Sequence, residues 1–116
     1  MSNKSEIKLN IELGEDKVPA KIEWYASDSP MEKPEECSAM LVSLWDGNKK
    51  EDRNVHLWTK KMTIEEMNHF YFRSMMMMAD SYQRATGNEE EANKFREYAK
   101  GMGTRNKVIK LNPTTT

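Results

Sequence analysis

Ile7, Leu9, Ile11 and Leu13 alternate with Lys8, Asn10 and Glu12, and a strict period of two marks a strand with one apolar face. GEDK then supplies turn residues. Beyond it, Val18, Ala20, Ile22 and Trp24 alternate with Lys21, Glu23 and Tyr25. The two runs predict a hairpin, with Pro19 near the start of its second strand, where a missing N–H is tolerated. Residues 27–37, SDSPMEKPEEC, hold two prolines and several acids without a period, and read as a loop.

SAMLVSLWDG is apolar on both parities (Met40, Val42 and Leu44, but also Leu41 and Trp45) and predicts a strand covered on both faces. DGNKKEDRN reads as a long charged turn, and VHLWTK as a fourth strand in which Val55, Leu57 and Thr59 alternate with His56 and Trp58. Two hairpins predict one four-stranded, largely antiparallel sheet whose strand order stays open.

Thr63 with Glu66 three residues on forms a capping box, and Met62 with Met67 occupies the two positions of a hydrophobic staple. A helix should run from Ile64 to about Thr86, with Gly87 as its C′ residue. Asn88 caps a second helix, EEEANKFREYAKGMG, with three acids in the first turn, where the helix dipole favours them. Its apolar stripe is Ala92, Phe95, Tyr98 or Ala99, and Met102. KVIKL reads as a short strand or extended arm, and NPTTT as frayed. The expected class is α+β: a single domain over 1–116, with a long and a shorter helix packed on one face of the sheet and a tail from residue 104.

Four consecutive methionines, Met75 to Met78, test that picture, because successive helical residues step by about 100°. On a wheel with Ile64 at the origin, Met67, Tyr71, Met75, Met78, Tyr82 and Ala85 form the core-facing stripe, flanked by Phe72 and Ala79. Met76 falls among Glu65, Gln83 and His69, and Met77 beside Phe70. Either the second helix or the tail covers these two, or they meet another protein, a use to which methionine is well suited. A Cu(I) site is disfavoured, since the pair with ligand-like spacing, Met75 and Met78, points into the core. On the sheet, Tyr25, Leu41, Trp45 and Trp58 face away from the side expected to carry helices. Aromatic side chains left there form an exposed patch of the kind that marks an interaction site, unless the tail or the 27–37 loop folds over them.

At 116 residues the chain is long enough for one core. Its 18 Lys+Arg against 19 Asp+Glu, for a net charge of −1, disfavour nucleic acid and an anionic membrane surface. The one cysteine, Cys37, excludes an internal disulfide and fits a reducing compartment. The start lacks the apolar run of a signal peptide. HFYFRSMMMMAD is broken by Arg73 and falls short of the roughly 20 residues of a membrane span. The expectation is a soluble, cytoplasmic protein.

A catalytic constellation does not emerge. His69 belongs to a surface ladder with Glu65 and Arg73, and His56 shares a strand face with Trp58. Cys37 sits in an acidic loop, which raises a thiol pKa. No Cys/His cluster has zinc spacing, and the glycines of GMG follow a helix rather than a strand. No cofactor or metal is expected.

KSEIKLNIELGEDKVPAKIEWYASD, MLVSLWD, LWTKKMTIEEM and MADSYQRAT occur in one order and spacing. In these segments the chain resembles the gliding-motility protein GldC family of the gliding Bacteroidetes, from about Lys4 to Thr86. The resemblance implies a small soluble accessory protein of the gliding apparatus, without known enzymatic activity, acting beside envelope-associated motility and secretion components. It implies no active site. Together with the residue pattern it favours a protein partner of that machinery, or a second copy of the chain, met through Tyr25, Trp45, Trp58, Phe70, Met76 and Met77. The alternative is a small acidic cytoplasmic chaperone for a secreted or envelope substrate.

Overall fold

The computed structural model describes residues 3–108. Most of the predicted tail strand KVIKL, and all of NPTTT, lie outside the described residues. The chain gathers into two compact units, the strands up to Met62 and the helices from Thr63.

In the first unit, β1 (Ile7–Leu13) and β2 (Pro19–Ala26) form the predicted antiparallel hairpin. Leu9 stands opposite Trp24 and Ile11 opposite Ile22, so the apolar positions share one face, and Lys8 opposite Tyr25 lies on the other. The connecting turn closes through Lys17 N–H to the Gly14 carbonyl (2.9 Å) and Val18 N–H to Asp16 Oδ1 (3.1 Å). Ile22 is completely buried, whereas every residue of the outermost strand β1 is exposed.

The second edge of β2 is taken by β3 (Glu35–Cys37), which places Cys37 opposite Ile22 and Glu35 opposite Trp24. These three residues belong to the stretch read as loop. They have no period because the strand is too short for one and because two of the three are acids on an exposed edge. Their pairing corrects the predicted architecture: with β3 on β2, the second hairpin forms its own sheet. That hairpin, β4 (Ala39–Asp46) with β5 (Glu51–Trp58), is a separate two-stranded antiparallel pair. Among the described residues the single four-stranded sheet is therefore two sheets, of three and two strands; the α+β class stands.

β5 also starts four residues before its predicted beginning at Val55. Glu51, Asp52 and Arg53, read as turn, pair with Asp46, Trp45 and Leu44. The real turn is short, because Asp46 organises it. Its carboxylate accepts the N–H groups of Asn48 (2.9 Å) and Lys49 (3.1 Å), and its carbonyl that of Lys50 (2.8 Å). Charges in a ribbon with solvated faces hid the strand period. Thr59, just past β5, is buried and donates its N–H to the Ser38 carbonyl at 2.9 Å, holding the two ends of this hairpin together.

In the second unit, α1 (Ile64–Thr86) has the predicted bounds. Thr63 Oγ1 accepts from Glu66 N–H (3.0 Å), and Glu66 Oε1 accepts in return from Thr63 N–H (3.3 Å). At the other end Gly87 adopts φ 75°, the left-handed conformation that glycine takes without a Cβ clash, and its N–H caps Gln83. Asn88 then caps α2 (Glu89–Arg105) through Glu91 N–H at 3.0 Å. The helices pack on each other as a hairpin whose buried residues are all small: Ala79 from α1 and Ala92, Ala99 and Gly103 from α2. Small side chains at a helix contact let the axes approach closely, and the larger residues flank the seam.

That seam reassigns the methionines. Ala79 lies about 60° round α1 from Ile64, so the face turned to α2 is rotated away from the stripe expected to be core. Ile64 is 83% exposed and Met78 61% exposed, against expectation, and Met77 is equally bare. Met75 and Met76 are half-buried on the two sides of the seam. On α2 the same rotation buries Ala99 and leaves Tyr98 exposed.

Candidate functional site

The two tryptophans expected at an interface lie on one face of the β4–β5 ribbon. Trp45 stands opposite Asp52 and Trp58 opposite Ala39, six residues from Trp45 along β4. At a strand rise of about 3.3 Å per residue, that separates them by roughly 20 Å. Both are open to solvent, Trp45 at 66% and Trp58 at 49%. Between them the face carries Leu41, Ser43, Asn54 and His56, with Ser43 Oγ donating to Asn54 Oδ1 at 2.7 Å. The pair is thus two separated indole anchors around a polar centre, not one aromatic cluster. Tyr25 belongs to the other sheet, half-buried opposite Lys8 on its polar face.

On α1, Phe70 and Met77 share the side turned away from the α2 seam. Phe70 is half-buried with its ring edge-on to Tyr71 (6.1 Å between centroids), and Met77 is exposed. Met76 joins Phe72 and Gln83 beside the seam, so α2 flanks it. Sequence reasoning missed a second apolar feature of this unit: an open groove of about 240 Å³ along the helical hairpin, lined by Met75, Met78, Lys94, Phe95 and Tyr98. Tyr82 supports its wall by an edge-on contact to Phe95 at 5.2 Å, and Arg105 stacks over the Tyr98 ring at 5.5 Å. The signal for it was present in the sequence. Each helix carries more apolar positions than one helix contact covers.

The unit of strands has a larger cleft, of about 500 Å³, between the Gly14–Ala20 turn and Thr59–Lys61. Two of its charged groups, Asp16 and Lys60, pair across it. Lys60 Nζ bonds the Asp16 carboxylate, and this bond, with the Val18 N–H, holds the Asp16 pKa below its ordinary value. Burial pushes the Cys37 thiol up, with the neighbouring Glu36 charge acting the same way, which leaves it protonated rather than nucleophilic. His56 and His69 are exposed and line neither the cleft nor the groove. Among the described residues no three His, Cys, Asp or Glu side chains gather as a metal site, and no helix is long and apolar enough to cross a membrane.

What these surfaces offer is apolar and aromatic contact area on two units. No curated protein and no solved structure matches the chain. A family model described as gliding motility-associated protein GldC-like matches residues 19–108, from the first residue of β2 to the end of α2 and beyond. That span is well over half of the sequence, and the chain belongs to the GldC-like family of gliding motility-associated proteins.

Proposed function

We propose that this protein is a non-catalytic accessory component of the gliding-motility apparatus that works in the cytoplasm by protein–protein contact. The observation that carries the reading is the exposure of Trp45 and Trp58 on one ribbon face. Indoles are large, rigid anchors, enriched where interfaces draw most of their energy. The Phe70 and Met77 side of α1 offers further contact area. Replacing both tryptophans by alanine should leave the far-UV spectrum and melting temperature near those of the parent, because neither side chain is buried. The same variant should lose capture of its partner from native cells. Unchanged capture by the folded double variant would overturn the reading.

The groove between Met75, Met78, Phe95 and Tyr98 supports a second reading, a small chaperone that holds a secreted or envelope substrate before export. Methionine-rich grooves adapt to varied apolar segments. Under that reading Met78→Asp abolishes substrate holding and the tryptophan variants do not, so the two sets of substitutions separate the alternatives.

A further inference from the structure

Among the described residues β1 is the outermost strand of its sheet, and the hydrogen bonds show which of its backbone groups face outward. The Glu6 carbonyl accepts from Ser27 N–H, and Gly14 N–H donates to the Val18 carbonyl, both at 2.9 Å. At each end of the strand the even-numbered residues therefore turn their backbone toward β2. Antiparallel alternation then leaves the N–H and C=O groups of Ile7, Leu9, Ile11 and Leu13 along the free edge.

Natural sheets blunt such edges with short strands, charges, proline or bulges. The opposite edge of this sheet is blunted in that way, by a β3 of three residues that carries Glu35 and Glu36. β1 runs for seven residues without proline, and its one register irregularity falls at its last residue.

The sequence of β1 is also complementary to itself. Set antiparallel to a second copy about a two-fold axis through Asn10, Lys8 meets Glu12 of the second copy, Glu12 meets its Lys8, and the two Asn10 side chains meet at the axis. On the other face Leu9 meets Ile11, and Ile7 meets Leu13. A slip by one residue opposes apolar with polar positions throughout. A slip by two in one direction sets Glu6 against Glu12, and in the other leaves Lys8 against Gly14. The register at Asn10 alone pairs opposite charges and like apolar groups, and a two-fold axis makes every contact occur twice.

We propose that β1 docks antiparallel on β1 of a second copy about Asn10, joining two three-stranded sheets into one of six strands. Main-chain bonds from the odd-numbered residues supply the attachment, and the Lys8–Glu12 pairs set the register. This is independent of the accessory reading, since partner capture through the tryptophans does not require it.

Light scattering on the full chain over a range of concentrations tests the proposal, with a dimeric mass expected for the parent. Lys8→Glu and Glu12→Lys each place two like-charge pairs across the axis, and each should weaken dimerisation about tenfold or more. The two single variants mixed together restore opposite charges at both pairs and should recover a dimer near parental strength, as should the double variant K8E/E12K. A parent that stays monomeric overturns the proposal, whether its edge is bare or held by another segment. So do single variants that dimerise like the parent, or single variants that remain monomeric when mixed.

Discussion

Arg96 of α2 reaches back across the helical hairpin to Asp80 of α1, its Nη2 2.8 Å from the Asp80 Oδ1, while Nη1 bonds the Asn93 side chain at 2.8 Å. The Arg96 side chain is largely covered and the Asp80 carboxylate half open. The pair therefore sits between a surface ion pair, worth little, and a buried one. Asp80→Ala and Arg96→Ala should each destabilise the protein by about 1 kcal/mol in urea unfolding, with a coupling below about 1 kcal/mol in a double-mutant cycle. The coupling should shrink at 1 M salt.

Thr63→Ala removes the acceptor for Glu66 N–H and the hydroxyl that donates to Glu66 Oε1 at 3.2 Å, while the backbone N–H of residue 63 keeps its bond to Glu66. A cost of about 1 kcal/mol is expected, and Thr63→Ser should recover most of it. Chemical denaturation of the three proteins side by side measures both differences.

Position along the methionine run decides the effect of substitution. Met77→Ser and Met78→Ser remove exposed side chains and should stay within about 0.5 kcal/mol of the parent. Ala79→Leu forces a larger side chain into the seam against Ala92 and Ala99 and should cost about 1–3 kcal/mol. Thermal unfolding of the three variants orders them, and a Met78→Ser variant as damaged as Ala79→Leu would return Met78 to the core.

Asp16 titrates below the ordinary 3.8, chiefly because Lys60 hydrogen-bonds its carboxylate. A depressed folded pKa gives a contribution that is present above the unfolded value and is lost as the pH falls through the folded one. The Asp16–Lys60 contact should therefore persist at neutral pH and break only in the acid range below about pH 4. Carboxyl NMR titration should show the Asp16 midpoint moving up toward 3.8 in Lys60→Met.

The thiol of Cys37, its pKa raised by partial burial, should react with a disulfide reagent several-fold more slowly than a free cysteine at pH 8. Unfolding in urea should restore the ordinary rate. A native rate equal to the unfolded one would mean that the β2–β3 pairing does not shield it.

The parts of the fold that were legible are those in which local chemistry states its own boundary. Thr63, Glu66 and Gly87 name both ends of α1, and strict alternation names β1 and β2. β3 was illegible because three residues cannot show a period, and its pairing on Ile22 to Trp24 is decided by tertiary contact. Its presence is what separates the two sheets. Met78 was misread for a different reason. A hydrophobic wheel reports every apolar face of a helix at once, and a seam of Ala79, Ala92, Ala99 and Gly103 leaves little apolar mass to mark where a neighbouring helix docks. The place of each tryptophan on its strand was legible from parity, which is local. Their separation along the ribbon depends on the pairing register, which is not.

Among the described residues each hydrogen-bonded strand pair joins sequence neighbours: β1 with β2, β2 with β3, and β4 with β5. α1 likewise folds back on α2 across Gly87 and Asn88 alone. Every one of these contacts closes a short loop, and short loops cost the least chain entropy to close. Proteins assembled from such local pairings cross their folding barrier quickly. As the chain leaves the ribosome, each hairpin has both of its halves available to pair once the second has emerged.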